Sequence, residues 1–151
     1  HRVPMIAYWP GQVEAGSVSD DLAMTFDLMP TAIALADASP REGHAIDGQS
    51  LLPILTGTPA STDVVDFKNR TVFWGQNARW AMRDGSWKFV RLREGGKVKE
   101  FLFDLDEDLF ESNNLLPSQS DRAQTMREAL DRWIEEVETN ATPQPENPDA
   151  S

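Results

Sequence analysis

The spacing of apolar residues changes character twice along the chain. Residues 3–9 (Val-Pro-Met-Ile-Ala-Tyr-Trp) are a short apolar run closed by Pro10-Gly11, which predicts a buried strand. A polar loop follows over 12–19, then a short extended piece near 22–25. Asp27 is placed to cap a helix running from Leu28 to about Ala38, with Pro30 in the first turn, where its missing N–H costs little. Leu28, Ala32, Leu35 and Ala36 give that helix an apolar stripe. Ser39-Pro40-Arg41-Glu42-Gly43 breaks the pattern, and Asp47-Gly48-Gln49-Ser50 reads as a turn. Residues 51–55 form a short apolar helix or turn ended by Gly57, and 58–69 read as loop.

Beyond the loop the period falls to two. Val72, Trp74, Trp80, Met82, Trp87, Phe89, Phe101 and Phe103 alternate with smaller or polar neighbours over four short runs. Asp84-Gly85 and Gly95-Gly96 are hairpin signals between runs. The pattern predicts an antiparallel meander with one aromatic face. A cover for that face follows: in 118–139 the residues Ala123, Met126, Leu130, Trp133, Ile134 and Val137 fall at helical spacing. Ser118 with Asp121 resembles a capping box that opens this helix. From Asn140 onward three prolines in six residues and the lack of an apolar pattern predict a disordered tail over 140–151.

The 151 residues suffice for a domain with a core, and no window reaches the roughly 18 unbroken apolar residues of a membrane helix. With no such window a membrane is not an expected partner, and a formal charge of −11 repels phosphate backbones, so nucleic acid is not one either. The absence of cysteine removes disulfides, thiolate nucleophiles and Cys-based zinc sites together.

The candidate chemistry is thin. Two histidines, His1 and His44, are too few for a His-rich metal site or a catalytic triad unaided, and both read as ordinary surface residues before any wider comparison. Asp104-Leu105-Asp106-Glu107-Asp108 opens like a calcium-binding EF-hand loop, but Leu109 and Leu115 stand where that loop needs glycine and glutamate. No serine sits in a Gly-X-Ser-X-Gly setting, and Gly95-Gly96 is too isolated to cradle a phosphate. Trp74, Trp80 and Trp87 would stack on sugar rings if exposed, but their period-two placement favours core. The residues alone assemble no complete active site.

Read in order, these stretches resemble the C-terminal third of the formylglycine-dependent (type I) sulfatases. His1-Arg2-Val3-Pro4 with Trp9-Pro10-Gly11 is similar to that family's Gly-Gly-X-Arg-X-Pro strand and Trp-Pro-Gly turn, without the two glycines. Asp27-Leu28-Met29-Pro30-Thr31 matches its Asp-X-X-Pro-Thr helix start, and Asp47-Gly48-Gln49-Ser50-Leu51-Leu52 its Asp-Gly-X-Ser-Leu segment. Arg83-Asp84-Gly85-Ser86-Trp87-Lys88 resembles the hairpin opening the small terminal sheet. Leu102-Phe103-Asp104-Leu105, Asp108, Glu111 and Asn114-Leu115 resemble the run that closes it. Ala38 replaces a common helix-ending glycine, and Leu109 a common proline.

The resemblance implies an α/β, alkaline-phosphatase-like fold, of which this chain is the C-terminal part: a small antiparallel sheet packed by a C-terminal helix. It implies that 1–57 complete the large domain, 58–69 link, and 70–139 form the small one. A parent sulfatase would hydrolyse sulfate esters, aryl or carbohydrate, with a formylglycine nucleophile and a calcium ion. Neither the Cys/Ser-X-Pro-X-Arg motif that yields formylglycine nor the calcium ligands occur here. The chain would then be scaffold and one wall of the substrate cleft, partnered by an N-terminal sulfatase domain that brings the sulfated small molecule or glycan. His1 and Arg2 are its cleft candidates, because they open the strand after the family's active-site lysine. A periplasmic or secreted parent fits, although no signal is visible in this chain. Two alternatives stay open: a phosphonate or phosphate monoester hydrolase of the same superfamily, and a non-enzymatic module binding a glycan or protein through Trp74, Trp80 or Trp87.

Overall fold

The computed structural model describes residues 3–43, 45–57 and 66–140, so His1, Arg2, His44 and the expected tail beyond Asn140 lie outside the described residues. The chain divides into two compact units between Arg70 and Thr71.

In the first unit a 3-10 turn, Thr25–Asp27, runs into helix α1, Leu28–Leu35. The helix stops short of Ala38 because Asp37 takes a left-handed φ of 49°, which lets the Ala38 N–H reach the Ile33 carbonyl at 3.1 Å. Helix α2, Leu52–Thr56, ends at Gly57, whose φ of 62° suits a residue without Cβ. The strand expected over 3–9 is not formed. Among the described residues nothing pairs with it, and Val3, Ile6 and Tyr8 are exposed. A strand is stabilised by its neighbours' hydrogen bonds, so an apolar run alone cannot make one.

The second unit is the expected meander. Strands β1 (Thr71–Gln76), β2 (Arg79–Asp84), β3 (Trp87–Glu94) and β4 (Lys97–Asp104) lie in sequence order, all antiparallel. Register places Phe73, Met82, Phe89 and Leu102 side by side across the sheet. That row packs on Ala123, Met126 and Leu130 of helix α3, Ser120–Asn140. The expected capping box is absent: the Ser118 hydroxyl donates to the Leu115 carbonyl, and the helix begins two residues later.

The single aromatic face is corrected to two. Successive side chains on a strand point to opposite faces, so pairing decides the side. Trp80, Met82, Trp87 and Phe89 face α3, while Val72, Trp74, Phe101 and Phe103 share the opposite face. Charged residues reinforce the helix seam: Arg91 bonds both Glu100 and Asp131, and Arg127 holds Glu100 at 2.8 Å.

The β1–β2 turn is Asn77-Ala78, with φ of 48° and 62° at two residues that carry Cβ. The left-handed region costs a non-glycine residue roughly 1–2 kcal/mol. Replacing Ala78 by Gly is therefore expected to raise stability by about 1 kcal/mol, read as a higher urea midpoint at unchanged slope.

Candidate functional site

Asp27 is the most constrained ionisable group among the described residues. It is completely buried, and as the last residue of the 3-10 turn it faces inward rather than capping α1. Its carboxylate accepts from the Met24 N–H at 2.6 Å and from the Gln49 N–H at 3.0 Å. Arg70 grips the same carboxylate through both terminal nitrogens, at 3.0 and 2.6 Å. The Arg70 guanidinium in turn lies 5.9 Å from the Phe26 ring centroid and 5.0 Å from that of Phe67. Such fork-to-fork pairing is the strong form of ionic hydrogen bond.

Thr31, one turn further on, completes the arrangement. Its hydroxyl donates to the Asp27 carbonyl at 2.6 Å and accepts the Leu51 N–H at 2.8 Å. The segment bearing Gln49 and Leu51 can approach this closely because of Gly48. A Cβ there would meet the Phe26 carbonyl oxygen at 2.3 Å. The segment read as a turn is thus an irregular strap held against the 3-10 turn and α1, and its Leu51 is buried.

Burial by itself would raise the Asp27 pKa. The bonds from Arg70, Gln49 and Met24, with the Arg70 charge, outweigh it and hold the group below its ordinary value. A carboxylate that is ionised, saturated and sealed from solvent can neither exchange a proton with a substrate nor attack one. This cluster builds structure. The same holds in the second unit: Lys88 pairs with Glu111 at 2.5 Å, and the Asn114 side chain accepts the N–H groups of Leu102 and Leu116. Within the acidic run 104–108, Asp104 accepts the Asp106 N–H and Asp108 accepts that of Asn113. No three His, Asp or Glu residues among those described are placed to hold a metal.

The cleft candidates His1 and Arg2 lie outside the described residues. Sequence reasoning found the Asp27 and Gly48 segments but not their union through Arg70, since nothing local in Asn69-Arg70-Thr71 points 43 residues back.

Apart from the 3–9 run, which pairs with no strand among the described residues, the described segments that carried the resemblance hold structural hydrogen bonds or sheet pairings. A family model described as "N-sulphoglucosamine sulphohydrolase, C-terminal" matches residues 1–140. The chain belongs to this sulfatase family. The human N-acetylgalactosamine-6-sulfatase is 50% identical over 54 residues, covering 36% of this chain and 10% of that protein. Arylsulfatase G of Rattus norvegicus is 31% identical over 128 residues, 76% of this chain and 24% of its own. Among solved structures, one bound to its substrate D-glucosamine-2-N,6-O-disulfate matches with a TM-score of 0.65 at 19% identity. It covers 88% of this chain and 28% of that one. The chain thus spans about a tenth to a quarter of the curated sulfatases it matches. Its fold is that of the sulfatase C-terminal part, with the small antiparallel sheet and closing helix in place.

Proposed function

We propose that this chain is the C-terminal scaffold of a sulfatase whose catalytic residues lie upstream, acting on sulfate esters of aryl or carbohydrate type. The family match over 1–140 carries the reading. The first unit supports it. Helix α1 is apolar around most of its circumference yet leaves Leu28, Met29 and Leu35 at least half exposed, and a helix of that kind belongs in an interior. We propose that these residues and the 3–9 run are covered by the rest of the sulfatase, where 3–9 gains strand neighbours.

Formylglycine and calcium chemistry would come from that upstream part. This chain has no cysteine and no Ser-X-Pro-X-Arg motif to yield a formylglycine, which supports placing that group upstream. His1 and Arg2 are proposed to line the substrate cleft.

The test is hydrolysis of 4-nitrophenyl sulfate by this chain and by the protein extended upstream of His1. Turnover is expected from the longer protein alone. Turnover by the purified 151-residue chain would overturn the scaffold reading, and turnover of phenyl phosphonate esters in place of sulfates would reassign the reaction.

A further inference from the structure

We propose that strand β1 is the seam of a symmetric homodimer, pairing antiparallel with β1 of a second copy over residues 71–75. The direction of its main-chain groups follows from the other side of the sheet. The Leu102 N–H goes to the Asn114 side chain at 3.0 Å, and the Leu102 carbonyl takes the Leu115 N–H at 2.8 Å. Leu102 therefore turns its main chain away from β3. Such groups alternate sides along a strand, so Phe89 bonds Met82, and Phe73 opposite Met82 points away from β2. The Arg93 N–H on the Ala78 carbonyl, at 2.9 Å, gives the same phase. Thr71, Phe73 and Gly75 thus direct N–H and C=O out of the free edge.

An open edge is ordinary in itself, but the composition of this one is not. Native sheets guard their edges with charge, proline, bulges or covering segments. The β4 edge follows that rule: Asn114 and Leu115 cap it at Leu102, and Lys97, Lys99 and Glu100 carry charge along the rest. Strand β1 is Thr-Val-Phe-Trp-Gly-Gln, with no charge and no proline, and its register with β2 runs without a bulge. Nothing among the described residues bonds to its outer side. Thr71 and Gly75 are exposed, and the Phe73 ring is fixed by stacking on Trp133, with centroids 5.4 Å apart.

The sequence of β1 matches itself about a two-fold axis through Phe73, which commits the edge to a second copy. Phe73 then faces Phe73 of the other copy, and each exchanges both its main-chain bonds with the other. Thr71 faces Gly75 and does the same. Gly75 leaves the place of its missing Cβ to the Trp80 indole, so a small side chain such as Thr71 suits the position opposite. On the far face Val72 lies against Trp74. Aromatic pairs and aromatic–β-branched pairs are stabilising kinds across an antiparallel seam, and no charge meets its like here. An unrelated strand would gain the backbone bonds without this match. The seam lies wholly in the second unit and is independent of the sulfatase reading.

The experiment joins sedimentation velocity of the 151-residue chain to residue-resolved amide hydrogen exchange at the same concentrations. The mass is expected to double between dilute and concentrated protein. Over that range exchange at Thr71, Phe73 and Gly75 should slow at least ~10-fold, while Val72 and Trp74, whose N–H groups point to β2, keep one rate throughout. Thr71→Pro places proline at the first residue of an edge strand, where it is tolerated. It removes the same bond twice across the axis and should weaken the dimer about tenfold. Should that variant fail to fold, the exchange pattern of the parent decides alone. A monomer at every concentration, or a folded Thr71→Pro that dimerises as tightly as the parent, would overturn the proposal. A dimer whose Thr71, Phe73 and Gly75 amides exchange as fast as the monomer's would overturn it too, since the seam would lie elsewhere. Protection of those amides at every dilution would overturn it by giving the edge to another stretch of the same chain.

Discussion

Replacing Asp27 by Asn should destabilise the protein by about 3–5 kcal/mol, because it leaves the Arg70 guanidinium buried with no counter-charge. Arg70→Met should cost a similar amount by stranding the carboxylate. The double variant should lose less than the sum of the two, since it buries no unpaired charge. Urea denaturation of all four proteins reads this directly, and strictly additive losses would mean that the pair is not coupled. The pH dependence has a definite sign. Asp27 has a folded pKa below its ordinary 3.8, so the unfolded chain takes up its proton first. The stabilisation is complete well above pH 3.8 and is lost as pH falls through the folded value. Asp27→Asn removes this contribution, so the fall in stability on acidification should be shallower in the variant than in the parent.

The second large effect is expected at Phe89. Its side chain is fully buried at the centre of the row that meets α3, with Met82 and Leu102 beside it across the strands. Phe89→Ala should cost about 3–5 kcal/mol, through lost burial and the cavity left behind. Phe101→Ala, on the opposite face and only half-buried, should cost less. Near-ultraviolet circular dichroism should collapse at a lower urea concentration in the first variant than in the second. Equal losses would mean that α3 does not define the core of this unit.

What could be read in advance follows the range of the interaction responsible. Gly95-Gly96 and Gly85 mark their turns because glycine takes left-handed backbone cheaply, and both positions do so. Asn77-Ala78 makes a turn of the same hand, yet alanine carries no such signal. Alternation showed that strands were present but not which residues share a face. Once two-residue turns fix the pairing, Trp74 and Trp80 fall on opposite sides. The expected strand over 3–9 failed for a related reason, since its apolar sequence supplies one surface and no partner. Asp27 looked like a cap because Ser, Thr, Asn and Asp before a helix usually are caps, and the competing claim of Arg70 lies far away in sequence. The candidate site was legible as a succession of segments, and their joining through one arginine was not.

That joining orders events during synthesis. Asp27 leaves the ribosome 43 residues ahead of Arg70, and at roughly 5–20 residues per second the carboxylate waits about 2–9 s for its counter-ion. Until then it stays hydrated, and desolvating it would be unfavourable. The Gly48 strap therefore has no ionic anchor to close upon. The first unit reaches its final packing only as its last residue emerges, and a translational pause placed before codon 70 would hold α1 open to chaperones.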